Sequence, residues 1–446
     1  MAMAPLNDGR HLERDASGSA THLISRRTAW GVFALAFALQ LTDFIDRQII
    51  VAAFPALKAE WGLSDTQLGA LVSLVSVTVA LGALPLAHLA DRWSRVKSIA
   101  AMGAVWSLAA VTCALSGNYG QLVAARAALG VGEAGYGPAG GALLSSLFPQ
   151  RLRSTVVGAF QAAGPLGAVI GVFLGGLMID QLGWRTTLAV FALPGLVLSL
   201  LFLRVRDYRT ADPTVAADPG TPPAPAHRAR LRGILAELFR APTAVAAYLG
   251  GALQLVVLST LYTWLPSYLN RSYGYPVATA GAVAAVVIIA GAVGTVVLGY
   301  LADRAGAART RNKLVVPALL ALVTLTVLTT AFAWTPTGPL QLCLIIAGGF
   351  TITAAIGPVP AVVIDVVKPE VRATALGMVT LVQNLFGLAV GPLLAGLLSD
   401  AYGLPAALAL MPLFCAGAAA AFWYASRTYE RDLRSDADSA APAIAL

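Results

Sequence analysis

Five charged side chains lie in long apolar stretches of this 446-residue chain. They are Asp43, Asp46 and Arg47 in the first stretch, and Arg126 and Glu133 in the fourth. A charge at the centre of a membrane-spanning helix costs about 2.5–3.5 kcal/mol, so each group needs a partner or a watery cavity. The first three residues are spaced at i, i+3 and i+4, and the other two are seven residues apart. Each set therefore shares one face of its helix.

The balance of these five charges indicates proton chemistry. Three carboxylates face two guanidinium groups, so one carboxylate has no fixed counter-charge. In a cavity of low dielectric such a carboxylate binds a proton readily, and its protonation would release an arginine. We expect Glu133 to carry the proton, with Asp46 as the next candidate and Asp43, Arg47 and Arg126 as their partners. The alternative is a static buried network that fixes helix packing, and this alternative is strongest for Asp43.

The segment around Glu133 is rich in residues that break helices. Four glycines and Pro138 fall between positions 130 and 138. Irregular backbone at membrane depth is tolerated only where it lies against protein or lines a cavity. The sequence therefore predicts a break in the fourth helix beside the charges.

The composition places these charges inside a membrane. Hydrophobic residues make up 58% of the chain and charged residues only 12%, whereas about a quarter of a soluble domain is charged. Apolar stretches of about 20 residues, long enough to cross a bilayer as helices, recur twelve times. Their approximate bounds are 29–53, 66–89, 98–116, 119–144, 155–179, 186–203, 243–269, 277–301, 313–334, 338–363, 373–399 and 405–425.

The distribution of Lys and Arg predicts the orientation. Of the 30 Lys and Arg residues, all but five fall on the side that holds both termini. Two of these five, Arg47 and Arg126, lie inside apolar stretches, and the opposite side holds only Lys58, Arg185 and Arg271. The positive-inside rule then places both termini in the cytoplasm, and we expect the chain in the inner membrane of a bacterium. The net charge of +8 suits anionic lipid headgroups, so no nucleic-acid partner is implied.

Two short motifs occur twice, which indicates two similar halves. Asp91 and Arg92 recur as Asp303 and Arg304, and the pattern R-x-T-x-x-G occurs at 153–158 and at 372–377. We predict a cytoplasmic tail at 1–28, a six-helix bundle at 29–203, a cytoplasmic loop at 204–242, a second bundle at 243–425 and a tail at 426–446. Substrate sites in such repeated membrane proteins lie between the halves, near the bilayer midplane.

The second half has no charge inside its apolar stretches, so its candidate binding residues are neutral. We expect Trp264, which stands just before Pro266, to be the strongest candidate. The other predicted substrate-binding residues are Tyr262, Tyr268, Gln254, Thr351, Gln383 and Asn384. Most of them could instead join helices to one another. A cavity with one charged wall and one apolar wall would suit an amphiphile with a polar head.

The chain resembles the major facilitator superfamily over essentially its whole length. Residues 299–306 match the family motif G-x-L-A-D-R-x-G, and Asp91, Arg92 and Arg95 keep the charges of the first copy, although Ala87 and Ser94 replace its usual glycines. The resemblance implies an all-α integral membrane fold of twelve helices in two pseudo-symmetric six-helix bundles. It also implies that Asp91, Arg92, Arg95, Gly299, Asp303 and Arg304 form the gating motif on the cytoplasmic side.

Within the superfamily, residues 43–47, 63–69 and 130–136 are most similar to the Spinster-type transporters. These are proton-linked carriers associated with sphingolipids and lysophospholipids. Residues 126–132 also resemble the family pattern R-x-x-x-G-x-G, whose arginine is linked to proton transfer. The resemblance implies a proton-coupled transporter of an amphiphilic, lipid-like molecule that works by alternating access.

Other functions remain open on the sequence alone. The anion:cation symporters share similar residues in the first and fourth stretches, so a proton-linked symporter of small organic anions is the main alternative. A receptor or scramblase with the same fold is another. We expect a monomer that contacts protons, a small-molecule substrate and the bilayer, with no cofactor besides the proton gradient and no metal. The four histidines are scattered and no nucleophile–base pair stands out, so an enzyme is not expected.

Overall fold

The computed structural model describes residues 25–205, 236–368 and 371–440, apart from a few side chains, which include those of Asp91, Arg92 and Arg95. Most of the predicted tail at 1–28 and of the predicted loop at 204–242 lies outside these residues. The described chain is helical and contains no strand.

The first half is built from the following described helices: α1 (Arg26–Ala52), α2 (Phe54–Trp61), α3 (Asp65–Arg92), α4 (Arg95–Ala114), α5 (Tyr119–Glu133), α6 (Tyr136–Leu147), α7 (Gln150–Gln161) and α8 (Ala163–Phe202). Ser64 begins α3 with a capping box, because its hydroxyl accepts from the Gln67 N–H while the Gln67 side chain accepts from the Ser64 N–H. This arrangement satisfies two of the amide groups that a helix leaves free at its N-terminus.

The second half contains α9 (Pro242–Tyr273), α10 (Val277–Ala308), α11 (Asn312–Thr329), α12 (Pro339–Thr351), α13 (Pro358–Asp365), α14 (Arg372–Val382), α15 (Val390–Tyr402), α16 (Leu404–Leu410) and α17 (Phe414–Ala440). Two π-helical turns, Thr330–Trp334 and Gln383–Leu388, follow α11 and α14. Helix α17 continues well beyond residue 425, so the segment predicted as a C-terminal tail begins as helix.

The described helices form twelve candidate membrane crossings. Nine helical segments are long and apolar enough to span a membrane. One of these, Thr155–Phe202, counts as two crossings, because Gly183 at φ 79° is non-helical and divides α8 into two helices at a kink. The two remaining crossings are broken helices, α5–α6 and α12–α13, which are too short when counted singly. The twelve predicted stretches correspond to these crossings.

Contacts between the two halves concentrate at one end. We call this the distal end, where α1 ends and α3 begins, and the opposite end, where α1 begins, the proximal end. At the distal end α8 packs along α10, and α3 packs along α15. Arg271 of the second half donates to both oxygens of Asp65 at 2.7 and 2.8 Å, and Lys58 donates to the same carboxylate at 2.6 Å. These contacts close the distal end between the halves.

The short helix α2 is fastened to α8 on the distal surface. Trp184 Nε1 donates to Glu60 at 2.7 Å, and Arg185 donates to the other oxygen at 2.6 Å. The hydrogen bond from Trp184, followed by that from Arg185, holds the pKa of Glu60 below its ordinary value. These bonds fix the segment between α1 and α3, and therefore the position at which α3 begins.

Candidate functional site

Arg47 is the centre of the buried charge cluster. Its Nη2 atom lies 2.6 Å from Glu133 Oε2, and its Nε atom lies 3.6 Å from Asp43 Oδ1. The Glu133 side chain is fully buried, whereas the Arg47 side chain is 22% exposed. One guanidinium group therefore pairs with two carboxylates, and its exposed part lines the cavity described below.

The third carboxylate is held by a different partner. Asp46 Oδ2 accepts a hydrogen bond of 3.2 Å from the indole of Trp106, on α4, and its Oδ1 has no partner among the described residues. Both side chains are buried. Asp46 and Arg47 are neighbours in sequence, but they have different partners: Asp46 accepts from Trp106, whereas Arg47 pairs with Glu133 and Asp43.

Arg126 is buried without a carboxylate partner in the described part of the chain. Its Nε donates to the Leu71 carbonyl oxygen at 3.2 Å, and no described carboxylate oxygen lies within 4.0 Å. A buried guanidinium has five N–H donors, and a carbonyl satisfies only one of them. The remaining donors are available to a bound anion.

The predicted break beside Glu133 is present, and two of its glycines lie against α4. Helix α5 ends at Glu133 and α6 begins at Tyr136. A Cβ on Gly132 would lie 2.6 Å from the backbone nitrogen of Trp106, and one on Gly135 would lie 2.5 Å from Met102. Gly132 therefore requires glycine, because the backbone of α4 passes so close, whereas at Gly135 the nearest atoms belong to the flexible Met102 side chain. The same approach brings Trp106 to the charge cluster.

A cavity of about 340 Å³ lies between the two halves beside this cluster. From the first half, Arg47, Gln48 and Arg126 line it, and Tyr262 and Thr353 line it from the second half. Arg47 and Arg126 are the only charged groups among its described lining residues, since none of the three carboxylates reaches the wall. The wall is therefore cationic, with the anionic groups directly behind it.

Comparisons with known proteins identify the family. The model of the Major Facilitator Superfamily matches residues 36–388. The chain belongs to the major facilitator superfamily.

Known relatives of this superfamily member are transporters. The chain is 28% identical to an MFS-type efflux pump of Mycolicibacterium smegmatis, over 92% of this chain and 96% of the relative. It is also 28% identical to a gallate transporter of Pseudomonas putida, over 87% and 90%. The crystal structure of a bacterial homologue of the human lysosomal transporter Spinster, in an inward-facing and unoccupied conformation, matches with a TM-score of 0.81 and 22% identity, over 92% of this chain and 99% of the other.

These findings confirm the coarse predictions from sequence. The chain is an integral, multi-pass membrane protein with the all-α fold of the superfamily. It is a secondary transporter of a small molecule and not an enzyme. The resemblance in fold to a Spinster homologue is confirmed as well.

The transporter's predicted substrate-binding residues are mostly engaged elsewhere. Only Tyr262 lines the cavity. Trp264, the strongest candidate from sequence, is buried near the distal end, where its indole donates to the Pro392 carbonyl at 3.0 Å and packs against Phe54 of the other half. Its position favours a role in closing the halves together.

The remaining candidates join helices of the second half or lie on its surface. Gln254 donates to the Ile352 carbonyl at 2.6 Å, and Gln341 donates to Tyr268 at 2.8 Å. Thr351 accepts from Thr324 at 2.8 Å. Gln383 and Asn384 begin the π-helical turn, where Asn384 donates to the Thr380 carbonyl at 2.9 Å. The described cavity wall contains none of them.

The predicted gating motif is described only in part. The side chains of Asp91, Arg92 and Arg95 lie outside the described residues. Gly299 lies within α10, and Asp303 and Arg304 are exposed at its proximal end. Their gating role stays a prediction.

Two residues of the candidate site are missing from the sequence-based candidates. Gln48 lines the cavity with a buried amide oxygen that has no partner in the described structure, and Trp106 holds Asp46. Gln48 follows Arg47 directly, so a search for neutral polar residues beside the buried charges would have found it. Trp106 carried no such signal, because an indole is common in membrane helices.

Proposed function

We propose that this transporter is a proton-coupled symporter of a small organic anion, with an aromatic carboxylate as the preferred class. The observation that carries the proposal is the cationic cavity wall formed by Arg47 and Arg126. Guanidinium groups match the geometry of carboxylates, to which they form paired hydrogen bonds. The apolar remainder of the wall suits an aromatic ring.

The size of the cavity supports a small substrate. Ligand pockets are about 300–1,000 Å³ in volume, and a cavity of 340 Å³ lies near the lower limit. The chain of a lysolipid would have to extend beyond it. The lipid-like substrate expected from sequence therefore has less support than the small anion, and the name of the gallate transporter relative agrees with the latter.

Coupling to protons follows from competition for Arg47. An anion that binds the guanidinium of Arg47 draws it away from Glu133, whose Oε2 lies 2.6 Å from Arg47 Nη2. The buried carboxylate is then left without its counter-charge, and a proton neutralises it at less cost than burial of a bare charge. Anion and proton thereby favour each other's binding, as linkage requires.

The orientation of this transporter completes the proposal. If both termini are cytoplasmic, as the Lys and Arg distribution indicates, the closed distal end faces away from the cytoplasm. The conformation is then inward-facing. The two halves rock about the cavity so that it opens to either side in turn, in a bacterial inner membrane and as a monomer.

The test is substrate-induced proton movement in proteoliposomes. We would trap a pH-sensitive dye inside, add candidate substrates outside and record acidification. Gallate and benzoate should acidify the lumen, whereas methyl gallate, which lacks the carboxylate, should not. In Arg126→Gln the signal should fall at least tenfold, because the loss of one bidentate carboxylate contact is worth more than 1.4 kcal/mol.

The same assay separates the competing substrate classes. Flux of a labelled lysophospholipid without a response to any carboxylate would overturn the small-anion proposal in favour of the lipid-like one. Lipid movement that ignores the pH gradient would indicate a scramblase. Arg126→Lys is the matched variant, since it keeps the charge but loses the paired geometry.

A further inference from the structure

A carboxylate of the second half binds the first residues of a helix in the first half. Asp400, near the end of α15, accepts hydrogen bonds of 2.8 Å from the backbone N–H groups of both Asp65 and Thr66, at the start of α3. It also accepts from the Thr66 hydroxyl at 2.6 Å. One turn earlier, a Cβ on Gly396 would lie 2.5 Å from the Asp65 carbonyl oxygen, so α15 and α3 touch backbone to backbone.

The same arrangement occurs with the halves exchanged. Asp180, in α8 of the first half, accepts a hydrogen bond of 2.9 Å from the backbone N–H of Ala278, at the start of α10. One turn earlier, a Cβ on Gly176 would lie 2.7 Å from the Val277 carbonyl oxygen. Helix α10 has no side-chain cap of its own, since Pro276 stands at its N-cap. Its cap is supplied by the other half.

The two contacts are copies in sequence as well as in geometry. Residues 176–183 and 396–403 share the pattern G-L-x-x-D-x-x-G, and both final glycines, Gly183 and Gly403, have positive φ. The capped helices are also equivalent, because Thr66 and Ala278 stand at the 212-residue interval that relates the two Asp-Arg motifs. The repeat thus reproduces a contact between halves, and not only the fold of each half.

We propose that Asp180 and Asp400 are paired distal latches that hold the transporter closed at its distal end. A carboxylate at a helix N-terminus satisfies free N–H groups and is favoured by the helix dipole. Here the carboxylate and the helix belong to halves that must separate when the cavity opens distally. Opening therefore breaks two caps at once, one on each side of the cavity.

The two latches differ in their supports. At the α3 contact, Asp65 also binds Arg271 at 2.7 Å and accepts from the Ser399 hydroxyl at 2.5 Å, both of the second half. At the α10 contact, the equivalent position is Val277, which cannot form an ion pair. The α10 contact therefore depends on Asp180, whereas the α3 contact retains the Asp65–Arg271 pair when Asp400 is removed.

The test is a distance measurement across the distal end that needs no substrate. The native Cys113, Cys343 and Cys415 would be replaced by alanine, and spin labels placed at Leu115→Cys and Trp334→Cys, which are distal, 76% exposed and in different halves. Double electron–electron resonance in lipid nanodiscs then gives the populations of the distally closed and open states. Because no transport is measured, the result is independent of the proposed substrate.

We expect Asp180→Ala to raise the distally open population about fivefold, the effect of losing one helix cap of typical strength. Asp400→Ala should have a smaller effect, and the two together a larger effect than either. Asp432→Ala is the control, because Asp432 accepts from the Thr243 N–H at 3.0 Å, capping α9 within a single half. Its open population should match that of the unmutated transporter.

A second pair of variants protects the test against a folding defect. Gly176→Ala and Gly396→Ala keep both carboxylates but force the helix starts apart, so each should also increase the open population. The proposal is overturned if Asp180→Ala with Asp400→Ala leaves the distances unchanged. It is equally overturned if Asp432→Ala produces the same shift.

Discussion

The two halves of this transporter share a scaffold but not their chemistry. The helices that begin at Asp65 and Val277 receive the same Asp cap and the same glycine contact from the opposite half. At the centre, in contrast, the first half holds five charged groups, four of them buried and Arg47 partly exposed, while the described cavity wall of the second half is neutral. The contacts between the halves therefore occur in pairs, whereas the charges proposed to bind the substrate and the proton lie on one side of the common cavity only.

The largest effect is expected from removing the proposed proton carrier. Glu133→Gln keeps the shape of the side chain but cannot exchange a proton, so uptake driven by a pH gradient should fall at least a hundredfold. Exchange of labelled for unlabelled anion should persist, because the cavity wall is unchanged. Uptake and exchange measured on the same proteoliposomes separate these outcomes. Gradient-driven uptake that survives in Glu133→Gln would exclude Glu133 as the carrier.

A second prediction concerns the stability of the charged half. Arg47→Gln leaves Glu133 and Asp43 buried without their counter-charge, and removal of one partner of a buried pair costs about 3–5 kcal/mol. We expect the lower end of this range, because the Arg47 side chain is 22% exposed. The melting temperature in detergent should fall accordingly.

The double variant Arg47→Gln with Glu133→Gln is the matched control for that stability change. It removes the uncompensated charge, so it should recover most of the lost melting temperature. If the double variant is as unstable as Arg47→Gln alone, the loss comes from packing and not from an unpaired carboxylate.

Trp106→Phe tests whether the indole positions Asp46 for proton transfer or merely fills space. The variant deletes the hydrogen bond of 3.2 Å to Asp46, and a hydrogen bond to a charged group contributes about 1.5–3 kcal/mol. We expect about a tenfold loss of gradient-driven uptake and a displaced pH profile of transport. A lower melting temperature with an unchanged pH profile would assign Trp106 a structural role only.

The sequence predicts the charged site better than the neutral one, for a physical reason. A buried charge such as Glu133 costs too much to be kept without a partner or cavity, so its presence alone marks the site. A neutral polar residue can either bind a substrate or form a hydrogen bond to another helix, and the sequence does not distinguish the two. Gln254 satisfies its amide on a backbone carbonyl of another helix, which is as favourable in lipid as binding a substrate.

The contacts between helices, within each half and between the halves, also cannot be predicted from the sequence, since they depend on how the helices pack. Spacing along α1 places Asp43, Asp46 and Arg47 on one face. It does not show that Arg47 binds Glu133 while Asp46 binds Trp106. The repeated G-L-x-x-D-x-x-G pattern is visible in the sequence, but a repeat reveals only that two segments have equal roles. Which helix each Asp caps follows from the assembled structure.

The smallest predicted effect lies in the neutral half and sharpens the contrast with the charged half. Tyr262 is the one sequence-predicted residue of that half on the described cavity wall, and its hydroxyl lies against Gly291. Tyr262→Phe keeps the ring and removes only the hydroxyl, so at most one neutral hydrogen bond of about 0.5–1.5 kcal/mol is lost. We expect KM for the anion to rise two- to threefold with kcat unchanged, as measured from initial uptake rates. A loss as large as that of Arg126→Gln would mean that the second half also binds the polar group of the substrate, and the division of chemistry between the halves would then fail.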